Sequence, residues 1–378
     1  MALNNVNTIS IITATFNSER YIEQTILSVV QQTSYSNIEY IIVDGASTDS
    51  TMEIVNKYRD AIHQIISEPD KGIYDAFNKG IQAATGDAIY FLNSDDYLTD
   101  NSVIKDVLEQ FSSDLSLKAV YGDVICVNET NGFRKPMGRR TTLDDLRLAR
   151  MLPHQGLFVR KNVFDEFGLF DLSYKIVSDF DATIKMFKKY ESHCLYINRA
   201  IAIYRFGGPS SNLVHRNKMQ NEFVQICEKH FGRSLVQPLS IAESNIDYYK
   251  RWLETLLLKN APISAIVRQK GITNAVIVGT VEMSLYVLYD LQKAGIQVHA
   301  FLDNDSRSHG MKIDSIMVYP VEWLADRAAQ YDAIILAFEG NHDDGIRRQI
   351  HDLLGESAPQ IFSWRQMVMW NVERDADK

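Results

Sequence analysis

The sequence predicts an α/β protein with a parallel sheet in its larger domain and a second, smaller α/β domain near its C-terminal end. Three observations lead to this prediction. Short apolar, β-branched runs alternate with amphipathic helical segments over the first 100 residues, which is typical of a parallel sheet. A chain of 378 residues is long enough for two or three domains. A further strand–helix–strand pattern begins at Asn274.

The first 100 residues predict four strands separated by helices. The helix that follows the first strand carries its apolar residues on one face. Asn17 or Ser18 can cap this helix, because short polar side chains accept hydrogen bonds from exposed helix amides. The predicted strands are 8–15, 38–43, 62–67 and 88–92, and the later predicted helices are 50–58 and 73–84.

The remainder of the chain is less regular, and a loop is predicted at 207–211 from its Gly, Pro and Ser residues. Further strands are predicted at 119–128, 156–159 and 194–204, further helices at 180–190, 214–231 and 241–259, and late strands at 274–279, 297–302 and 332–337. We therefore expect domains at 1–235 and 271–378, joined by a helical connector at 236–270.

The charge balance argues against a nucleic-acid partner. The chain has 39 Lys and Arg against 48 Asp and Glu, which gives a net charge of −9. Contacts with nucleic-acid phosphates need an excess of cations, so no nucleic-acid partner is expected. A small anionic ligand remains compatible with this balance, because one local group of cations is sufficient for it.

The cysteines and the N-terminal segment indicate a cytoplasmic protein. Cys126, Cys194 and Cys227 are far apart and odd in number, which favours free thiols in a reducing compartment. The first residues lack a basic segment followed by an apolar one, so no signal peptide is expected. No apolar run approaches the roughly 18 residues of a membrane span. Peripheral contact with the inner face of the cytoplasmic membrane stays open.

The sharpest local motif is Asn93-Ser94-Asp95-Asp96, directly after the predicted strand 88–92. Ligands bind at the carboxyl ends of strands in open α/β sheets, and two adjacent carboxylates need a cation to stay ionised together. Mg²⁺ or Mn²⁺ shared with a diphosphate meets that need, because both ions prefer oxygen ligands. The alternative is a helix cap, in which Asp96 or Asp100 precedes the helix near 103–111.

Two further segments combine polar residues with glycine. Asp44 ends the second strand and is followed by Gly45 and small hydroxyl residues, a pattern that fits either a nucleoside contact or a simple turn. Lys71 and Gly72 precede a helix, where the backbone can approach a phosphate. Neither segment contains the glycine pattern of a P-loop or of a dinucleotide site.

Together these segments resemble the family 2 glycosyltransferases, which have the GT-A fold. The resemblance covers about residues 8–210, in the order and spacing of the family, and is carried by TATFNSERYIEQTILSVVQQT, IEYIIVDGASTDST, EPDKGIYDAFNKGIQAATGDAIYFLNSDD and PHQGLFVRKNVFDEFGLFD. It implies an inverting, metal-dependent transfer of a sugar from a nucleotide-diphosphate donor. A divalent metal, Mn²⁺ or Mg²⁺, is the implied cofactor.

The resemblance also implies roles for individual residues. Asp96 matches the residue that holds the metal. The general base of the family is an Asp before a helix, matched by Asp179, although Ser178 replaces the usual acidic neighbour and Asp181 stays an alternative. The residues that match the donor site are Thr13, Thr15, Asn17, Asp44, Asp70, Lys71 and Asp95.

Other positions have two interpretations each. His154 fits an acceptor, metal or phosphate contact, or a structural histidine. Arg205 fits a contact to the diphosphate or a surface arginine. The basic stretch at 134–150 fits an anionic lipid-linked acceptor, or more simply a solvated loop. The aromatic and basic segment 248–259 fits a membrane-interface helix, a homo-oligomer contact, or packing between domains.

The C-terminal region resembles half of a Rossmann fold. Asp303 ends its second strand, where a ribose-binding acid would lie, but only Gly279 of the glycine fingerprint is present. Glu282 would crowd a phosphate at that turn. We therefore expect a structural or interaction module rather than a nucleotide site.

The predicted function is an inverting glycosyltransferase of surface polysaccharide biosynthesis that acts on a saccharide or lipid-linked saccharide, with UDP-sugars as the favoured donors. One alternative is a sugar-1-phosphate nucleotidyltransferase, although the expected Gly-rich loop with basic residues is missing from the N-terminal segment. The other alternative is a non-catalytic protein that binds nucleotide-sugars or assists assembly. The full set of acidic residues argues against it.

Overall fold

The computed structural model describes residues 5–129, 132–205, 213–232, 240–340 and 342–376. The chain forms two compact units, Met1–Glu129 with Pro136–Val236, and Thr130–Lys135 with Gln237–Lys378. The division near 236 lies close to the predicted boundary. The structure differs for the expected connector, which belongs to the second unit because Trp252 shares an apolar core with Trp364.

The elements up to residue 231 are, in chain order, β1 (Ile9–Thr15), α1 (Ile22–Val30), β2 (Ile38–Asp44), α2 (Thr51–Lys57), β3 (Gln64–Ser67), α3 (Ile73–Ala83), β4 (Ala88–Phe91), β5 (Tyr97–Leu98), α4 (Val103–Ser113), β6 (Ala119–Asn128), β7 (Phe133–Met137), α5 (Leu143–Arg147), β8 (Leu157–Arg160), α6 (Lys161–Phe167), α7 (Ser178–Tyr190), β9 (Cys194–Arg205) and α8 (Leu213–Phe231). The predicted loop at 207–211 lies outside the described residues.

The main sheet has the strand order β3-β2-β1-β4-β8-β6-β9-β5. Strands β1 to β4 are parallel, as predicted, whereas β8 runs antiparallel to both β4 and β6. β1 is buried on both faces: Ile11 packs with Ile26 of α1 on one side, and Ile12 packs with Phe77 of α3 on the other. Two helical layers therefore cover the sheet and hold its strand ends in place.

The predicted helix caps are wrong. The N-cap of α1 is Tyr21, whose side chain makes no capping hydrogen bond, because Asn17 and Ser18 direct their side-chain polar atoms to the neighbouring loops. The N-cap of α4 is Ser102, so Asp96 does not cap that helix.

The second unit contains α9 (Ser240–Leu257), α10 (Ala265–Gln269), β10 (Asn274–Val278), α11 (Glu282–Lys293), β11 (Gln297–Leu302), β12 (Lys312–Ile313), β13 (Ile316–Tyr319), β14 (Ala333–Leu336), α12 (Asp343–Leu354), β15 (Gln360–Ser363) and α13 (Trp364–Ala376). Its sheet has the order β12-β13-β11-β10-β14-β15 and is parallel except for β12. None of the helices among the described residues combines the length and apolar character needed to cross a bilayer.

Candidate active site

The carboxyl ends of β1, β2 and β4 bring most of the predicted donor-site residues to one edge of the main sheet. β1 lies between the other two strands, and Thr15 at its end is the register partner of Asp44 at the end of β2. The segment Asn93–Asp96 follows β4 directly. This edge is the place where open α/β sheets bind ligands.

The loop after β1 is fixed to the loop after β2 by Asn17. Its φ of 49° is a left-handed conformation that asparagine tolerates better than most residues. The Asn17 N–H donates to Ser47 Oγ at 2.9 Å, and Asn17 Oδ1 accepts from the Thr48 N–H at 2.8 Å. The side chain therefore positions the two loops that border the site.

The two predicted threonines differ in their surroundings. Thr13 is completely buried inside the sheet and contacts the Tyr40 hydroxyl at 3.3 Å, and the prediction that it borders the donor stays untested. Thr15 lies at the strand end, and its buried Oγ1 has no hydrogen-bond partner among the described residues. A polar atom in that state is available to a ligand or a water molecule.

Asp44 organises its own loop. Its carboxylate is fully buried and accepts from the Ser47 N–H at 3.1 Å, from the Ser47 hydroxyl, and from the Ser67 hydroxyl at 2.6 Å. These contacts match the turn interpretation of the segment, and the contact between Asp44 and a nucleotide base stays a prediction. The carboxylate holds the turn that presents the next residue, Gly45.

Gly45, Asp70 and Phe16 lie close together at this edge. A Cβ atom on Gly45 would lie 2.6 Å from Asp70 Oδ2 and 3.4 Å from the Phe16 ring, so any larger residue would have to displace the Asp70 carboxylate. Phe16 is 60% exposed, which is unusual for a phenylalanine beside a buried sheet. Asp70 accepts from the Gly72 N–H at 2.8 Å, and Lys71 between them is exposed. The three groups offer an aromatic face, bare backbone and a carboxylate.

Asp96 lies at the centre of the site and is completely buried. Its Oδ2 accepts from Gln155 Nε2 at 3.1 Å and from Asn93 Nδ2 at 3.3 Å, and its Oδ1 accepts from the Arg205 N–H at 3.0 Å. Burial, followed by the neighbouring charge of Asp95, raises the pKa of Asp96 to about 7. Burial also raises the pKa of Asp95.

The atoms around Asp96 fit a divalent cation. The amide oxygen of Asn93 is buried without a hydrogen-bond partner among the described residues, beside two carboxylates whose charged forms are disfavoured by burial. Carboxylate and amide oxygens are the ligands that Mg²⁺ and Mn²⁺ prefer. No group of three or more His, Cys, Asp or Glu side chains occurs among the described residues, so a metal here would need ligands from a substrate.

Arg205 supports the site from behind. Its guanidinium donates to Glu129 Oε1 at 2.7 Å, to the carbonyl oxygen of Asp95 and to Gln24. The rings of Tyr21 and Tyr97 lie 4.6 and 4.8 Å from it, and the residue is 7% exposed. The guanidinium is engaged within the protein, so Arg205 is not a surface arginine, and its contact to the diphosphate stays a prediction.

Asp179 occupies the first turn of α7 and is 6% exposed. Its Oδ1 accepts from the Tyr74 hydroxyl at 2.7 Å, and its Oδ2 lies 3.2 Å from His154 Nδ1. Burial and then the Asp179 charge raise the pKa of Tyr74 well above its ordinary value, so Tyr74 stays protonated and donates. The carboxylate is thereby held in one orientation.

His154 and Gln155 are consecutive residues that contact the two principal carboxylates. His154 contacts Asp179, and Gln155 donates to Asp96. His154 Nε2 is buried and has no hydrogen-bond partner among the described residues. One dipeptide therefore contacts both Asp96 and Asp179.

Asp181 has a different environment. Its side chain is 1% exposed and is paired with Lys185 at 2.7 Å, Lys229 at 2.9 Å and His230 at 2.7 Å. Although burial raises its pKa, hydrogen bonds from His230 and the two lysines hold that pKa well below its usual range. Asp181 therefore joins α7 to α8, and its oxygens are already occupied.

Three residues of the site were missed by the sequence analysis. Tyr74 orients Asp179, Gln155 binds Asp96, and the buried Glu222 of α8 accepts from the backbone N–H groups of residues 175, 176 and 177 at 2.9, 2.9 and 3.2 Å. Glu222 thus fixes the loop that leads into α7. Only Gln155 had a local signal, since it follows His154 in the Pro153-His154-Gln155-Gly156 segment.

The basic stretch at 134–150 is partly neutralised. Arg139 and Arg150 pair with Asp145 at 3.0 and 3.5 Å, and Arg147 pairs with Asp144 at 3.8 Å. These pairs are exposed, as expected for a solvated segment.

Comparison with known proteins agrees with this geometry. The sequence model of Glycosyl transferase family 2 matches residues 10–190. A PGL/p-HBAD biosynthesis glycosyltransferase of Mycobacterium tuberculosis is 33% identical over 211 residues, which cover 55% of this chain and 80% of that protein. An uncharacterized glycosyltransferase of Haemophilus influenzae is 39% identical over 104 residues, or 27% of this chain and 41% of that protein.

Among solved structures, S. aureus TarS 1-349 in complex with UDP-GlcNAc aligns with a TM-score of 0.50 and 20% identity, over 61% of this chain and 68% of that one. This likeness shows that the two proteins share a fold.

Proposed function

Because the chain belongs to glycosyl transferase family 2, we propose that it transfers a sugar from a nucleotide-diphosphate donor to a hydroxyl of a saccharide or lipid-linked saccharide. The chain is a glycosyltransferase. The identity of the donor, the identity of the acceptor and the inversion of the anomeric centre are what we propose. We favour a UDP-sugar as donor and surface polysaccharide biosynthesis as the setting. A lipid-linked acceptor would bring the enzyme to the inner face of the cytoplasmic membrane.

The observation that carries the proposal is the His154–Gln155 pair. One dipeptide contacts both a carboxylate suited to a metal, Asp96, and a carboxylate suited to proton removal, Asp179. Among the described residues, buried atoms of Asn93 and His154 beside these carboxylates, and of Thr15 at the end of β1, have no hydrogen-bond partner. Buried polar groups without partners are rare in folded proteins, so their concentration here supports a site completed by a polar ligand.

The donor nucleotide is proposed to bind at Phe16, Gly45 and Asp70. The exposed Phe16 ring can stack on a planar base, and Gly45 lets Asp70 pack closely against the backbone beside it. Asp70 can accept a hydrogen bond from a base N–H. Lys71, which is exposed beside it, can approach the diphosphate.

Asp95 and Asp96, with Asn93, are proposed to hold a divalent metal, Mn²⁺ or Mg²⁺, together with the donor diphosphate. The metal, when bound, would neutralise charge that develops on the leaving diphosphate. The Gln155 amide and the Arg205 N–H hold the Asp96 carboxylate in place through hydrogen bonds.

Asp179 is the proposed general base. An acceptor hydroxyl attacks the anomeric carbon while its proton passes to Asp179, and the bond to the diphosphate breaks in the same displacement. Tyr74 and His154 orient the carboxylate for that transfer. A single displacement with one base inverts the anomeric centre. Asp181 is unsuited to this role, because Lys185, Lys229 and His230 already occupy its oxygens.

The test is release of nucleotide from UDP-, GDP- and dTDP-sugars with Mn²⁺, with and without saccharide acceptors. Asp179→Asn should bind donor normally but lose most turnover, whereas Asp96→Asn should lose metal-dependent donor binding. Asp165→Asn, which changes an exposed carboxylate nearby, serves as the control. Near-normal turnover in folded Asp179→Asn would show that Asp179 is not the general base. Donor binding by the unmodified protein without any turnover would indicate a non-catalytic protein.

A further inference from the structure

The second unit contains a cleft that the transferase reaction does not use. It measures about 560 Å³, which is within the range of small-molecule sites, on the order of 300–1,000 Å³. Its walls come from the ends of β10 and β11, from Phe338 after β14, and from the first two turns of α12. All of these elements belong to the second unit.

The cleft lies where the sheet topology favours ligand binding. Apart from the short β12, the strands lie across the sheet in the order β13, β11, β10, β14, β15. The strand that comes first in the chain, β10, is therefore in the centre. Connections leave β10 and β14 toward opposite sides of the sheet, so a crevice opens at their carboxyl ends. Gly279 deepens it: φ is 113°, and an added Cβ would lie 2.8 Å from the Phe338 ring.

One end of the cleft offers a fixed carboxylate. Asp303 directly follows β11. Its carboxylate accepts hydrogen bonds from the Asp305 N–H at 2.8 Å and from the Thr280 hydroxyl. Lys135 of the same unit lies 3.7 Å from it, and the carboxylate is 14% exposed. A carboxylate can accept about four hydrogen bonds, so this one retains capacity for the hydroxyls of a ribose.

The other end of the cleft offers a cation. Arg348 is exposed on α12, and its Nε donates to the Asp344 carbonyl at 3.3 Å. The first turn of α12 faces the same space through Gly345, whose absent side chain leaves open volume. A guanidinium beside helix amides suits a phosphate group, while Asp344 and His342 complete the rim.

The turn after β10 excludes a dinucleotide. Thr280 and Val281 replace the glycines that bring backbone close to a pyrophosphate, and Glu282 begins α11. Glu282 does not line the cleft; it accepts from the Tyr286 hydroxyl at 3.0 Å. The expectation that Glu282 blocks ligands therefore applies to the α11 side alone, and the phosphate position lies on the α12 side.

We propose that this cleft binds a ribonucleoside monophosphate, with its ribose hydroxyls on Asp303 and its phosphate on Arg348. The proposal does not depend on the transferase reaction. It assigns the second unit a ligand-sensing role.

Tryptophan fluorescence of the full chain tests this proposal. The chain has four tryptophans, and all of them, Trp252, Trp323, Trp364 and Trp370, belong to the second unit. Trp364 donates to the Phe338 carbonyl at 2.8 Å, so it senses the cleft wall. AMP, GMP, CMP and UMP are titrated separately, and we expect a saturable change in emission with at least one of them.

Analogues and variants identify the contacts. The 2′,3′-dideoxy form of the binding nucleotide should bind at least about tenfold more weakly, because it lacks both hydroxyl donors. The nucleotide should bind more tightly than its nucleoside, and Arg348→Gln should abolish that difference. Gly345→Leu fills the open volume and should abolish the response, while Asp352→Leu on the exposed side of α12 should retain it.

Gly345→Leu is expected to fold, since leucine is a better helix former than glycine by up to about 1 kcal/mol. The proposal is overturned when none of the four nucleotides changes the emission at millimolar concentration. It is equally overturned when the response survives in folded Gly345→Leu.

Discussion

Tyr74 and Asp179 are 105 residues apart in the chain, and the Tyr74 hydroxyl donates to Asp179 Oδ1 at 2.7 Å. The same hydroxyl lies 2.7 Å from the carbonyl oxygen of Ile176, in the loop that leads into α7. Tyr74 follows Lys71 and Gly72, which border the proposed diphosphate position. One buried side chain thus connects the donor side of the site to its base.

Tyr74→Phe should therefore impair catalysis more than binding. Without the hydroxyl, Asp179 has more than one orientation, and we expect kcat to fall about tenfold, which corresponds to roughly 1.4 kcal/mol, with little change in the donor KM. Tyr190→Phe removes a hydroxyl that binds the exposed Glu166 and serves as the control. Unchanged kcat and an unchanged pH profile in Tyr74→Phe would show that the contact has no catalytic importance.

Gly45→Ala tests the proposed nucleotide position. The added methyl group would lie 2.6 Å from Asp70 Oδ2 and must displace that carboxylate. We expect the donor KM to rise about tenfold or more while kcat at saturating donor changes little, because Asp179 is untouched. Steady-state kinetics over a range of donor concentration measure both constants. A normal donor KM would show that the nucleotide base binds elsewhere on the protein.

Metal binding should weaken below neutral pH. The raised pKa of Asp96, about 7, means that the folded metal-free protein holds a proton that the unfolded chain gives up near pH 4. The metal-free protein therefore loses stability as the pH rises toward 7, and a metal that displaces this proton binds about tenfold more weakly per pH unit below 7.

Thermal unfolding with and without Mn²⁺ measures this effect. The increase in Tm caused by Mn²⁺ should be larger at pH 8 than at pH 6, and Asp96→Asn should remove the difference. Equal increases at both pH values in the unmodified protein would contradict the prediction.

Asp181→Asn should destabilise the fold without changing the chemistry. The substitution leaves Lys185, Lys229 and His230 around a neutral group, and we expect a loss of about 2–3 kcal/mol in unfolding free energy, below the usual value for a buried pair because the lysines are partly exposed. The pKa of Asp181 is depressed, so its contribution is present at neutral pH and disappears as the pH falls below about 4.

Urea unfolding at pH 7 and at pH 3 measures that contribution, with Asp165→Asn as the exposed control. Turnover in folded Asp181→Asn should stay within a few-fold of normal. A complete loss of turnover in folded protein would transfer the role of base from Asp179 to Asp181.

The sequence predicted those parts of the molecule that have a local signal. Apolar runs such as 8–15 and 38–43 predicted the strands of the sheet, because a strand that is buried on both faces needs apolar residues along its whole length. Small elements such as β12 and α5 were missed because they are too short to show periodicity. Family resemblance supplied Asp96 and Asp179.

Side-chain partners could not be predicted in the same way. Tyr74 and Glu222 act across 105 and about 45 residues of sequence, and no pattern near either residue indicates the contact. The burial of Thr13 was not predicted, because the residue lies two positions inside its strand, where neighbouring strands cover it. The burial of Arg205 was not predicted, because its partners, Glu129 and Gln24, come from distant segments.

The covalent bond between His154 and Gln155 has a consequence for how this protein can change over evolutionary time. Substitutions around Phe16 and Gly45 can alter which donor is accepted, because those groups belong to separate loops. An insertion between His154 and Gln155 would displace the contacts to Asp179 and Asp96 together. Under the proposed function, donor preference can therefore change while His154 and Gln155 keep their contacts to the two carboxylates.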